Sequence, residues 1–183
     1  MVPSAVLDAC VLYPIGLRDT LLNLAEAGLF RVLWTEDILA ETARNIVEDT
    51  PGLTAEHLEK TFAAMRHAFP EAMIHGHEPF VESMTNHPKD RHVLAAAVAA
   101  QADIVVTANL RHFPSYVCNP YGVRVESPDQ FLCGAFERGP EALSTALRAQ
   151  AARKRRPAMS VDEMLDRLAV VVPEFVKAVR YVV

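Results

Sequence analysis

The chain is poor in cysteine and has no long apolar run. Among its 183 residues there are three cysteines, Cys10, Cys118 and Cys133. The count is odd and no CxxC spacing occurs, so neither a disulfide framework nor a zinc knuckle is indicated, and a reducing cytosol suits the composition. No apolar stretch approaches the roughly 20 residues that cross a bilayer. The start has no basic region and Asp8 interrupts its apolar residues, so no signal peptide is expected and the protein reads as cytoplasmic. Excess positive charge is missing too. The formal net charge is -5, which argues against a basic nucleic-acid binder. It leaves room for an acidic metal site acting on a phosphodiester, because such a site is itself negative. The seven histidines form no HExxH pair, and neither repeats nor low-complexity segments occur.

What is present is a folded composition. Hydrophobic residues make up 51% and charged residues 22%, which excludes disorder. The length suits one domain, with room for a small appendage. The opening run Ala5-Val6-Leu7-Asp8-Ala9-Cys10-Val11-Leu12 reads as a strand buried on both faces. Leu17, Leu21, Leu22 and Leu24 space out as an amphipathic helix ending at Gly28, and Phe30–Trp34 is a second strand. Thr35 caps a helix carrying Ile38, Leu39, Thr42, Ile46 and Val47, and Thr54 caps another that Pro70 ends. Ala72–His75 is the third expected strand, followed by a short helix or turn from Glu78 to Met84. Pro88 opens an alanine-rich helix, and Ala102–Thr107 and Gly122–Glu126 complete five strands. Ser127, Pro140, Ser160 and Pro173 each start a helix, and Arg153-Lys154-Arg155-Arg156-Pro157 reads as an exposed basic linker.

Strands alternating with helices imply right-handed βαβ units. The expected architecture is therefore α/β: a three-layer α/β/α sandwich on a mostly parallel sheet of about five strands, with C-terminal helices. The expected division is a domain over residues 1–130 and a helical extension over residues 131–183.

Asp8 is a carboxylate inside an apolar run with no neighbouring cation. Burial of such a group requires partner charge, hydrogen bonds or a metal ion, although capping a turn or helix would also explain it. In an open α/β sheet ligands bind at the carboxyl ends of the strands. Asp8 lies toward the end of strand one. Glu41 lies early in the helix leaving strand two, and Asn109 follows the strand over Ala102–Thr107. The helix begun by Pro88 runs against the strands, so Asp90 in its first turn also belongs at that edge. Singly, Glu41 is an ordinary solvated charge, Asp90 a helix-dipole carboxylate and Asn109 a turn residue. Together they bring oxygen-bearing side chains from four distant segments to one edge. Carboxylates gathered there repel unless a cation joins them. A hard ion, Mg²⁺ or Mn²⁺, takes oxygen ligands, activates water and stabilises charge on a phosphoryl group. Arg91, Arg111, His112 and Thr107 stand near enough in sequence to offer contacts to substrate phosphate. Single-residue expectation for Arg91, Arg111 and His112 is plain surface.

At these residues the chain resembles the PIN-domain nucleases. The pieces are Val6–Leu12, Ile38-Leu39-Ala40-Glu41-Thr42, Pro88-Lys89-Asp90-Arg91-His92-Val93-Leu94-Ala95-Ala96-Ala97, and Ala102–Leu110. Each is weak alone; the ordered set of four is fairly specific and covers roughly residues 4–130, one domain's length. Within the family it looks most like VapC-type toxins with a helical C-terminal extension. The resemblance implies an endoribonuclease needing Mg²⁺ or Mn²⁺, usually a homodimer, held inactive by a small cognate antitoxin. It implies Asp8 and Asp90 as direct metal ligands, Glu41 as a positioner of metal or water, and Asn109 as the fourth catalytic position. Many members carry Asp where this chain has Asn109, and another acid where it has His112. That departure bears on two-metal catalysis.

Other readings compete. A haloacid-dehalogenase-like phosphatase also places an Asp after its first strand, but needs a second Asp two residues on, where this chain has Cys10. A non-catalytic RNA- or partner-binding module on a PIN scaffold is opposed by the retained Asp8, Glu41 and Asp90. A housekeeping RNA-processing nuclease would share the same acids.

Overall fold

A computed structural model describes residues 2–154 and 158–183. The elements run β1 (Ser4–Leu7), α1 (Ala9–Leu12), α2 (Ile15–Glu26), β2 (Arg31–Leu33), α3 (Glu36–Asp49), α4 (Ala55–Ala68), α5 (Glu78–Val81), α6 (Arg91–Ala99), β3 (Ile104–Val106), α7 (Ser115–Cys118), β4 (Arg124–Glu126), α8 (Pro128–Arg138), α9 (Pro140–Arg153), α10 (Val161–Leu168) and α11 (Pro173–Val179). Among the described residues the sheet has four strands in the order β2-β1-β3-β4, every pair parallel. Val6 of the central β1 sits between Leu33 and Val105, and all four residues of β1 are buried. Burial on both faces is why Ala5–Leu7 of β1 and Ile104–Val106 of β3, the two central strands, are unbroken Ala, Val, Ile and Leu, while the flanking β2 and β4 carry the exposed Arg31 and Arg124.

The path from β1 to β2 runs one way across the sheet, and the path from β2 to β3 returns past β1. Right-handed crossovers then put α2 on one face and α6 on the other. α6 packs on β1 and β3 while α2 packs on β2. Its buried residues include Ala95, Ala96 and Ala97, which let helix and sheet approach closely.

Two expectations about strands are corrected. The sheet has four strands where five were expected. The Ala72–His75 stretch makes one parallel bridge, Met73 to Trp34, flanked by Trp34 N–H to Ala72 O and Ile74 N–H to Trp34 O. Pro70 lies just before it and Gly76, at φ +74°, turns the chain away just after, so the segment is too short to extend a ladder. The opening run also stops being strand at Leu7. Ala9–Leu12 is a helical turn whose last carbonyl, on Leu12, accepts from the buried Arg18 guanidinium at 2.9 Å. A short, uniformly apolar run fits a buried strand and a buried helical turn equally well.

The helix starts behave as their sequences require. Thr35, Thr54, Ser127 and Ser160 each accept from the third residue of their helix, the last three as reciprocal capping boxes. The C-terminal helices share the core of the rest. Phe131 of α8 meets Phe30 edge-on at 4.9 Å. Gln150 of α9 donates to Thr20 of α2 at 3.1 Å. Asp129 accepts the Glu174 and Phe175 N–H groups that open α11, at 3.1 and 2.8 Å. Arg153, expected in a basic linker, is the last residue of α9 and pairs with Glu26 at 2.8 Å. Lys154 pairs with Asp19, and the rest of that linker, Arg155 to Pro157, lies outside the described residues.

Candidate active site

β1 and β3 are the neighbours from which the chain leaves in opposite directions across the sheet. At such a switch point the loops after the two strands part and leave a crevice. Asp8 follows β1 there and Thr107 follows β3. The Asp8 N–H continues the ladder by donating to Val106 O at 3.1 Å. Its carboxylate, on a residue only 2% exposed, accepts the Thr107 hydroxyl at 2.6 Å and the Cys10 thiol at 3.1 Å, both on Oδ2. Asp8 is thus the N-cap residue of α1, but its side chain makes no capping bond. Burial pushes the Asp8 carboxyl above its ordinary range. The two hydrogen bonds oppose that rise and the charge of Asp90 adds to it. Burial and the charge of Asp8 push the Cys10 thiol up to about 12, so it serves as a protonated donor.

Asp90 closes a 3-10 turn, Pro88–Asp90, and caps α6. It is also buried, and Asn86 Nδ2 donates to its backbone carbonyl at 3.1 Å. Its carboxylate Oδ2 accepts from His112 Nδ1 at 2.7 Å and lies 3.6 Å from His87 Nδ1. Glu41 sits in the second turn of α3, less buried, with Oε2 3.4 Å from His92 Nε2. That contact is an ion pair by distance without the alignment of a hydrogen bond, and His92 Nε2 has no hydrogen-bond partner among the described residues. His92 nevertheless holds the Glu41 carboxyl below its usual range. Burial works against charge on His92, but Glu41, Asp8 and Asp37 outweigh it and raise the imidazole. The mutual influence of Asp8 with Asp90, and of His92 with Glu41 and Asp8, puts the three acids in one electrostatic neighbourhood.

The remaining expected residues divide. Asn109 is half-buried and its N–H donates to Thr107 Oγ1 at 3.0 Å. Thr107, expected as a phosphate contact, is fully buried, and its hydroxyl is committed to Asp8. His112, expected near phosphate, is bonded to Asp90 instead. Arg91 is half-buried with Nε 3.4 Å from Asn86 O, and Arg111 is exposed. Three contributors had no assigned role in the sequence: Cys10, His87 and His92. The available signal was local density, since His87 and His92 bracket Asp90 and Cys10 follows Asp8 by two. A cleft of about 760 Å³ lies elsewhere, lined by Ser4, Arg31 and Asp103 at the opposite edge of the sheet. Its Asp103 is occupied by the Ser4 N–H and hydroxyl at 2.8 and 2.7 Å. With no gathering of acids, it offers no comparable chemistry.

The donors at the switch point fit a divalent cation. Asp8 is a buried carboxylate with hydroxyl and thiol donors, a second carboxylate acting on it and, among the described residues, no basic side chain hydrogen-bonded to it. A hard ion with oxygen ligands would compensate both acids.

Comparison with known proteins agrees with this layout. A family model described as PIN domain matches residues 4–111. A second, described as VapC50 C-terminal domain, matches residues 128–181. A Mycobacterium tuberculosis protein named "Putative ribonuclease VapC50" is 36% identical over 109 residues, 60% of this chain. The chain spans 64% of the length of that curated relative. No solved structure matches. Asp8, Glu41, Asp90 and Asn109 all fall inside the first matched region, and α8 to α11 account for the second: the chain belongs to the PIN-domain family and carries a C-terminal extension of the VapC50 kind.

Proposed function

We propose that this chain is a Mg²⁺- or Mn²⁺-dependent endoribonuclease and the toxin of a type II toxin–antitoxin pair. The observation that carries the reading is the Asp8 carboxylate at the sheet's switch point, raised by its burial and further by the charge of Asp90. Asp8 and Asp90 would hold the ion. A bound divalent ion supplies Lewis-acid stabilisation of a phosphoryl oxygen and a more acidic water. Thr107 and Cys10 fix the Asp8 carboxylate by donating to one of its oxygens, Oδ2. Glu41, kept ionised by His92, orients water or a further ion, and Asn109 offers a neutral carbonyl oxygen. Exposed Arg111 and half-buried Arg91 supply positive charge for the RNA backbone.

The toxin assignment draws on the extension over residues 128–181 and on the name of the M. tuberculosis relative. A cognate antitoxin and a homodimer belong to the same reading. So does a nuclease unit over residues 1–130 with an extension over residues 131–183. That division is one of sequence and not of packing, since both parts share one core. Among the described residues no helix is long and apolar enough to cross a membrane.

The test is incubation of the purified chain with total RNA in Mg²⁺, Mn²⁺ or EDTA, beside Asp8→Asn and Asp90→Asn. Metal-dependent cleavage that both variants lose is expected. Cleavage persisting in both would remove the site assignment, and RNA or partner binding without cleavage would favour a non-catalytic module. An adjoining short reading frame for a DNA-binding antitoxin is expected beside the gene. Its absence would favour a housekeeping nuclease.

A further inference from the structure

Asp90 has a second set of neighbours that the nuclease reading does not use. His87 and His112 stack with ring centroids 4.0 Å apart and planes 12° from parallel. Their Nδ1 atoms address the same carboxylate oxygen, Asp90 Oδ2, at 3.6 and 2.7 Å. The three ligand atoms lie within 4.8 Å of one another. The backbone builds this arrangement. His87 N–H donates to His112 O at 3.1 Å, tying together the loops before α6 and after β3. Asp90 N–H donates to His87 O at 2.9 Å and His112 N–H to Asn109 O at 2.8 Å.

Two imidazoles and a carboxylate are a donor set of definite preference. Imidazole nitrogen suits Zn²⁺, Co²⁺ and related transition ions, whereas Mg²⁺ takes oxygen and keeps its water. Ligands about 2.0–2.1 Å from a tetrahedral ion stand roughly 3.3–3.4 Å apart. The two nitrogen-to-oxygen distances bracket that separation. Stacked rings aim their lone pairs in parallel, so binding requires the rings to fan apart. His87, 41% exposed in its side chain, has the space. The other Asp90 oxygen, Oδ1, makes no hydrogen bond among the described residues.

We propose that His87, Asp90 and His112 form a second cation site, selective for borderline transition ions of the Zn²⁺ and Co²⁺ kind over Mg²⁺. The site goes beyond the nuclease reading and does not need it, because binding here is independent of RNA cleavage. His112 is the decisive residue: it stands where the resemblance leads to an acid, and it exchanges a hard ligand for a softer one. In this proposal Asp90 belongs to both sites, through Oδ2 to the two imidazoles and through its other oxygen to a hard ion shared with Asp8.

The experiment uses the full chain, freed of metal by chelator and dialysis and titrated with Co²⁺ in millimolar Mg²⁺, read by ligand-field absorption. Isothermal titration with Zn²⁺ runs beside it. The expected result is one ion per chain that Mg²⁺ does not displace. Loss of one ligand should weaken it at least as much as losing an outer-shell partner does, roughly 10- to 100-fold, in His87→Ala and in His112→Ala. Asp8→Asn should retain it. His112→Asp should lose the nitrogen-ligated spectrum and bind an ion that Mg²⁺ displaces. Metal-free melting curves of the variants, matched to wild type, show that they fold. Absence of binding, equal binding by wild type and His112→Ala, displacement by Mg²⁺, or equal loss in Asp8→Asn would each overturn the proposal. RNA cleavage enters none of these outcomes, so failure of the nuclease reading leaves the result interpretable.

Discussion

Replacing Asp8 by Asn changes one atom's charge capacity at the least exposed carboxylate of the switch point, where 2% of the residue is accessible. Asparagine keeps an oxygen that accepts from Thr107 and Cys10, so those hydrogen bonds survive and the change is mainly electrostatic. Without metal, ionised Asp8 suffers burial and the charge of Asp90. An uncompensated buried charge of this kind costs on the order of 1–2 kcal/mol when hydroxyls partly solvate it. For a chain of this size 1 kcal/mol moves the melting temperature by about 2–4 °C, so Asp8→Asn in EDTA should melt roughly 2–8 °C higher than wild type. The pH dependence follows from the direction of the shift. The folded-state pKa lies above the unfolded value of 3.8, so wild-type stability is full below that value and falls as pH rises through the folded pKa. The advantage of Asp8→Asn therefore vanishes in acid and is complete at neutral pH. Mg²⁺ should reverse the order. An ion at a hundred times its dissociation constant stabilises wild type by about 2.7 kcal/mol, and the variant forgoes most of that. Calorimetry or a dye-based melt with and without Mg²⁺ reads both effects. If Asp8→Asn melts below wild type in EDTA, or if both proteins gain equally from Mg²⁺, the account of Asp8 as a charge awaiting a cation is wrong.

Thr107→Val removes the hydroxyl that holds Asp8 and leaves the packing volume nearly unchanged. RNA cleavage should fall roughly 10- to 100-fold, as for other residues that orient a metal ligand, while the fold persists by circular dichroism. His92→Gln should destabilise most between the unfolded values of 4.5 for Glu41 and 6.5 for His92. The pair's contribution is lost as pH falls through the depressed Glu41 value and as it rises through the elevated His92 value. A loss of about 1 kcal/mol near pH 5.5 that shrinks as pH rises through the elevated His92 pKa, measured by urea unfolding, is expected. Phe131→Ala opens a hole against Phe30 and should cost about 3–5 kcal/mol. A smaller cost would mean that the C-terminal helices do not share the core of the sheet.

Much of this was legible from residue types and order. The caps at Thr35, Thr54, Ser127 and Ser160 are local chemistry, written in a hydroxyl and the residue three positions on, and each sits where the sequence places it. The convergence of Asp8, Glu41, Asp90 and Asn109 at one edge follows from strand alternation and helix direction, which need no side-chain detail. The fifth strand was not legible, because whether Ala72–His75 lengthens into a ladder depends on a turn at Gly76 and on what Trp34 leaves unpaired. Nor was the helical turn after Asp8, since periodicity is silent over four apolar residues. The roles of His87, His92 and Cys10 are pair relations between loops. His112 illustrates the limit: its sequence position suggested phosphate, while its partner, Asp90, stands 22 residues away.

The packing of α9 and α10 on α2 bears on how the chain assembles during synthesis. α2 ends at residue 26, yet it is joined by Gln150, Arg153 and Lys154, at sequence separations of 130, 127 and 135. A nascent chain emerging at about 5–20 residues per second therefore waits several seconds with the outer side of α2 bare. Arg18 of that helix secures the carbonyl at the end of α1, the turn that Asp8 begins. Closing so long a loop is slow, so this side of α2 is covered late, after the segment bearing Asp90 and Asn109 has already been made.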